Sequence, residues 1–269
     1  MIGVFDSGVG GLSVFQALRA ELPHENFIYI ADSGHAPYGE RGDAFVISRT
    51  RAIVRHLREQ HHIKALVIAC NTATAAAGHL VRAEHPDLPL VGLEPALKPA
   101  VALSRTGRIG VMGTRGTVTS AKFQALLAAH QSQASFVVQP CDGLAHAVEQ
   151  SIEHPEENTT KIRALCAEYT GAMGRFGSGP DDIDTVVLGC THYQFAMPQL
   201  RDLLGEKVQL ITTGEPVARQ TRRLLAAADP LCVTGPGVTR LFTTGRPHTL
   251  QAAALRWLQL HSAVEQLQF

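Results

Sequence analysis

Short, continuously apolar runs alternate with longer stretches of helical period along the whole chain. The runs Ile2–Phe5, Phe27–Ile30, Ala65–Ala69, Leu90–Gly92, Arg108–Met112, Phe136–Val138, Thr185–Gly189, Val208–Ile211 and Arg240–Thr243 predict strands. The segment Asp43–Gln60 predicts a helix, with Asp43 as its cap and Phe45, Val46, Ile53, Val54 and Leu57 on one face. Strands that are apolar throughout, and not alternately apolar and polar, belong to sheets covered on both faces. With helices between them, they predict the α/β class and parallel sheets.

Within this rhythm lies an internal repeat. Ile2-Gly3-Val4-Phe5-Asp6-Ser7 is similar to Ile109-Gly110-Val111-Met112-Gly113-Thr114. Leu66-Val67-Ile68-Ala69-Cys70-Asn71-Thr72 is similar to Val186-Val187-Leu188-Gly189-Cys190-Thr191-His192, in the same order along the chain. Two matched strand ends in one order predict a duplicated α/β unit, with a cysteine in the same frame of each copy.

Composition narrows the function. Lys plus Arg number 24 and Asp plus Glu also 24, so no basic surplus favours nucleic acid or an anionic membrane. The Arg49, Arg51, Arg55 and Arg58 series on the first long helix reads as a solvated face. No apolar run approaches the length of a membrane-spanning helix, and Met1 leads straight into the first strand without a signal-like segment. Five widely spaced cysteines without a CxxC suggest neither a disulfide framework nor a zinc site, and predict a reducing cytoplasm.

In parallel sheets, ligands bind beyond the carboxyl ends of the strands. Asp6-Ser7-Gly8, Pro37-Tyr38-Gly39, Cys70-Asn71-Thr72 and Cys190-Thr191-His192 all fall there. The turn Gly8-Val9-Gly10-Gly11 has Ser13 where a dinucleotide loop carries its third glycine, and predicts a helix N-terminus open to a small carboxylate. Cys141, Cys166 and Cys232 read as inert, buried thiols. Cys70 and Cys190 differ, since each ends a strand, enters a helix start that favours the thiolate, and precedes polar groups. Two such thiols facing one cleft suit a nearly symmetric reaction, in which one removes a proton from a carbon and the other returns one to the opposite face. A Cys190–His192 hydrolase and a binding protein without chemistry are the competing readings. Asp32 reads as either a helper acid or a cap.

The motifs FDSGVGGLSV at 5–14, PYGER at 37–41, ACNTATA at 69–75, VGLEPALKPA at 91–100 and LGCTHY at 188–193 together resemble the cofactor-independent glutamate racemases, from residue 2 to about residue 225. The resemblance implies two pseudo-symmetric α/β domains, residues 1–95 plus 207–269 and residues 96–206, with the active site in the cleft between them. It implies Cys70 and Cys190 as the acid/base pair, with Asp6 and His192 assisting. Asp6, Ser7, Tyr38, Gly39, Asn71, Thr72, Thr191 and His192 become substrate contacts, with Glu149 a further acid and Thr114 and Thr117 on the second domain's side. Gln194 stands where this family usually has proline.

The implied activity is interconversion of L- and D-glutamate without cofactor or metal, for peptidoglycan synthesis in the cytoplasm. A homodimer with no nucleic-acid or membrane partner is expected. Because the first strand starts at once, activity without a nucleotide activator is also expected. Aspartate or hydantoin racemases of the same fold are the nearest alternative.

Overall fold

The computed structural model describes residues 1–228 and 231–268. In chain order the strands are β1 (Ile2–Asp6), β2 (Phe27–Ala31), β3 (Ala65–Ile68), β4 (Leu90–Gly92), β5 (Arg108–Gly113), β6 (Ser135–Pro140), β7 (Thr185–Leu188), β8 (Gln209–Ile211), β9 (Thr239–Thr243) and β10 (Val264–Gln266). Every expected strand forms, with ends shifted by no more than two residues. The strand β10 was not expected. Its run is short and ends in Glu265 and Gln266, so it lacks the apolar signature of a covered strand and lies at a sheet edge, on β9.

All pairings are parallel. One sheet has the order β10-β9-β2-β1-β3-β4, the other β6-β5-β7-β8. The order β2-β1-β3-β4 reproduces β6-β5-β7-β8 strand for strand. The repeat seen in the sequence therefore pairs topologically equivalent strands, β1 with β5 and β3 with β7. In each copy the chain winds outward in opposite directions from the central pair, which makes the gap between β1 and β3, and between β5 and β7, a switch point where loops diverge.

Both sheets are covered on both faces. Ile2 and Val4 of β1 pack into one core with Leu12, Phe15 and Leu18 of the helix Leu12–Glu21. Phe5 points the other way, into a core with Val46, Ile53, Val54 and Leu57. These last four lie on the helix Asp43–His61, as its apolar period requires. Gly42 is the N-cap of that helix and Asp43 is its first residue, without a side-chain cap. Asp43 thus supports the helix through the dipole alone. The second sheet has two cores of its own, around Met112, Val186 and Tyr193 on one face and Ile109, Val111 and Val187 on the other.

One boundary differs from expectation. Residues 209–211 were assigned to the first unit, but as β8 they hydrogen-bond to β7 in the second sheet, with Leu210 and Ile211 packed against that sheet's two cores. The next helix, Gly214–Ala228, packs on Leu12–Glu21 in the first unit. We therefore draw the return crossing at residues 212–213. Among the described residues no helix is long and apolar enough to cross a membrane.

Candidate active site

Cys70 follows β3 and is the N-cap of the helix Asn71–Glu84; its Sγ accepts the Ala73 N–H at 3.4 Å and donates to Ser7 Oγ at 3.7 Å. Cys190 follows β7 and opens the 3-10 turn Thr191–Ala196, which includes Gln194. Its Sγ has no capping bond and instead lies 3.8 Å from His192 Nδ1. The two thiols occupy equivalent places in the repeat and have different partners.

Both thiols line one pocket between the units. Ser7, Tyr38, Gly39, Asn71, Thr72, Thr191 and His192 line it too, together with Pro37, Thr114 and Ala145. The pocket is nearly closed, with a free volume of about 10 Å³, room for no more than about one water molecule, so the two units must part to admit a substrate. Asn71 Nδ2 and Oδ1 are buried without a partner in the protein, an arrangement that is costly unless a ligand completes it. Thr72, Thr114 and Thr117 form a buried triangle of hydroxyls 2.9–3.3 Å apart across the two units. Thr114 reaches the pocket wall and Thr117 stands behind it.

Asp6 differs from its expected place as a substrate contact. It is fully buried behind the pocket wall, with Oδ2 accepting the Gly11 N–H at 2.6 Å. Burial raises its carboxyl to about 6, while His192 and the N–H groups of Gly11 and Ser7 pull it down. The Cys70 thiol is likewise pushed up, first by burial and then by the Asp6 charge, and the Ala73 N–H and Ser7 hydroxyl offset this only in part. The helix start was expected to favour the thiolate; here desolvation outweighs it.

His192 is the charged centre of the second half. Burial alone would lower its pKa, but hydrogen bonds to Cys190 and Glu149 prevail and hold it well above the ordinary imidazole value. Its Nε2 donates to Glu149 Oε2 at 2.8 Å. Glu149 also accepts the Val9 N–H at 2.9 Å and the Ser33 hydroxyl at 2.7 Å.

These contacts explain the glycine turn. An added Cβ at Gly8 would lie 2.4 Å from Glu149 Oε2, at Gly10 2.3 Å from His192 Nδ1, and at Gly11 2.5 Å from Asp6 Cβ. The turn was expected to receive a carboxylate from solution. The carboxylates it binds are the protein's own, Asp6 and Glu149.

Two further expectations are corrected. Arg49 was read as solvated, yet it is only 12% exposed and pairs bidentately with Asp32, Nε at 3.0 Å and Nη2 at 2.8 Å. Asp32 is fully buried, makes no cap bond, and also takes the hydroxyls of Tyr38 and Thr244. It thereby fixes the Tyr38 ring against the pocket. Arg51 and Arg58 do lie at the surface, paired with Glu84 and Asp87. Cys141 and Cys166 are buried, but Cys232 is exposed.

In sequence and fold the chain is similar to known racemases. The sequence profile of the Asp/Glu/Hydantoin racemase family matches residues 3–221. Glutamate racemase of Ectopseudomonas mendocina (strain ymp) is 45% identical over 252 residues, 93% of this chain and 92% of that protein. That of Pseudomonas entomophila (strain L48) is 45% identical over 260 residues, 96% and 94% of the two chains. Among solved structures, glutamate racemase isoform RacE1 from Bacillus anthracis superposes with a TM-score of 0.87 at 32% identity, covering 100% of this chain and 97% of that one. Escherichia coli glutamate racemase, solved with L-glutamate and the activator UDP-MurNAc-ala, gives 0.83 at 30% identity, covering 99% and 97%.

Two outcomes test the site. Gly10→Ala forces the buried His192 ring aside, so kcat should fall by about a hundredfold and the overpacked turn should lose about 1–3 kcal/mol of stability. Asp6 binds its proton more tightly folded than unfolded, since its carboxyl moves from 3.8 to about 6. Its contribution to stability is thus fully present below pH 3.8 and lost as pH rises through about 6. Asp6→Asn should therefore raise stability at pH 7 by on the order of 2 kcal/mol, an advantage that disappears near pH 4. Thermal melts across that range check it.

Proposed function

This chain belongs to the Asp/Glu/Hydantoin racemase family, and we propose that it interconverts L- and D-glutamate by proton transfer at the α-carbon between Cys70 and Cys190. The observation that carries the reading is the meeting of the two strand-end thiols, one from each unit, in a single pocket. A Cys190–His192 hydrolase would leave Cys70 and its Ser7 and Asp6 neighbours without a task.

The reaction balances within the chain. One cysteine, as thiolate, takes the α-proton from one face of the substrate, leaving a carbanion. The other, as thiol, delivers its proton to the opposite face, and the two sulfurs end with exchanged protonation states. The reverse direction uses the same groups in exchanged roles.

The surroundings assign the supporting parts. Cys70 is held as a thiol by burial and by the Asp6 charge, and a substrate ammonium beside it would favour the thiolate. A thiolate at Cys190 has the His192 imidazolium as its charged partner. Asn71, with an unpartnered donor and an unpartnered acceptor, suits a zwitterionic amino acid. The backbone N–H groups at the start of Asn71–Glu84 and the hydroxyls of Thr72, Thr114 and Thr191 oppose the negative charge that builds on the α-carboxylate. In a pocket with little water such fixed donors act strongly. The family's destination for the product is bacterial peptidoglycan, and the free cysteines fit a reducing cytoplasm.

Polarimetry of the purified protein tests this reading: solutions of L- and of D-glutamate should both decay to zero rotation. Cys70→Ala and Cys190→Ala should each reduce turnover by about a thousandfold or more, whereas Cys232→Ala should retain it. Substantial racemisation by either of the first two would contradict the assignment. Turnover should fall on the acid side near pH 6, as Asp6 takes a proton, and on the alkaline side as His192 loses its charge. Because these groups interact, the limbs report the cluster.

A further inference from the structure

Glu149 and His192 share a feature of their surroundings. Three residues beyond each stands an apolar side chain, Ile152 and Phe195, that packs against the core of the first unit. Phe195 meets Trp257 ring on ring, with centroids 3.5 Å apart and planes 10° from parallel. Among the described residues, these two rings alone pack against both the first unit's core and the second's. Trp257 belongs to the helix Pro247–Leu258. The opposite end of that helix grips the segment following Glu149, where Thr249 donates to Glu153 and Arg246 Nη2 lies 3.0 Å from the same carboxylate.

The 3-10 turn Thr191–Ala196 is short and is anchored on both sides of His192: Ser13 Oγ donates to the Thr191 carbonyl at 3.2 Å, the buried Tyr193 hydroxyl donates to the Cys141 carbonyl at 3.1 Å, and Phe195 stacks on Trp257. His192 lies between them. Its ring must meet Cys190 Sγ at one nitrogen and Glu149 at the other, at 3.8 Å and 2.8 Å, so a small rotation of the turn would break one contact or both.

We propose that Trp257 is a positioning residue for the proton transfer: by clamping Phe195 from the first unit, it fixes the His192 imidazole between Glu149 and Cys190. Trp257 does not line the pocket and acts through Phe195 and its turn. The assignment rests on the racemase reading given above.

The test compares wild type, Trp257→Ala, Trp257→Phe and Leu88→Ala. Leu88 is buried in the core on the far face of the first sheet, so its truncation lowers stability without reaching the turn. For each protein, kcat and KM are measured with both glutamate enantiomers across the pH range, beside a thermal melt. Trp257→Ala should lower kcat by about tenfold or more, leave KM within about twofold, and move the alkaline limb to lower pH, because a loosened Glu149 contact no longer sustains the imidazolium. Trp257→Phe keeps a ring for Phe195 and should recover kcat to within about threefold of wild type. Leu88→Ala should leave kcat and the limb unchanged.

A folded Trp257→Ala protein with wild-type kcat and pH profile would overturn the assignment. So would an equal loss of kcat in Leu88→Ala at the same fall in melting temperature. If Trp257→Ala does not fold, Trp257→Leu, which keeps apolar bulk without a ring, carries the same readout. A wild-type protein that fails to racemise glutamate would instead overturn the functional reading, and this assignment with it.

Discussion

The Glu149 carboxylate ties the two units to each other and to the chemistry. It takes the Val9 N–H and the Ser33 hydroxyl from the first unit, and with the same two oxygens it takes His192 Nε2 from the second. A carboxylate so placed has to be paired, since an isolated buried charge is strongly unfavourable. The pairing in turn fixes the imidazolium next to Cys190. The glycines at 8, 10 and 11 follow from it, because any side chain there would occupy the space of Glu149, His192 or Asp6. Duplication of the fold supplies two equivalent strand ends; Glu149 joins them into one site.

The repeat does not make the two halves chemically alike. Cys70 has a helix N-terminus and a neutral hydroxyl as partners, with an anionic Asp6 behind them. Cys190 has a cationic imidazole backed by a carboxylate. The reaction is symmetric about the α-carbon but the substrate is not, for its ammonium and its two carboxylates must lie somewhere. A site with one electron-rich and one electron-poor side can meet those charges, and in the proposed reaction one sulfur takes a proton from the α-carbon while the other gives one to it. Keeping Asp6 ionised in the interior lowers stability at neutral pH, a trade commonly found where buried carboxylates serve function.

Much of this was legible in the sequence for local reasons. Central strands covered on both faces are apolar almost throughout, so β1, β2, β3, β5 and β7 stand out without any knowledge of their partners, and the short aliphatic runs within β4, β6, β8 and β9 mark those. Both cysteines could be placed at strand ends because Ala65–Ile68 and Thr185–Leu188 run directly into them. What depended on distant contacts was hidden. Arg49 looks like its exposed neighbours Arg51 and Arg55, and only the burial of Asp32 distinguishes it. The glycine turn resembled an anion cradle because it is one, and no local pattern shows that Glu149, 140 residues away, supplies the anion. The strand β10 carries too few apolar residues to declare itself, and residue 207 gave no sign that β8 would join the second sheet before the chain returned.

The central claim is that two groups on opposite faces of the substrate, and not a single shuttling base, move the proton. Racemisation begun from one pure enantiomer in deuterated water tests it most directly, with the α-position of both enantiomers followed by mass spectrometry at early conversion. A pair of thiols working on opposite faces predicts product that carries deuterium from solvent in nearly every molecule, while recovered substrate stays almost entirely protiated. Product that retains the original proton, or substrate that gains deuterium as fast as product forms, would contradict the account.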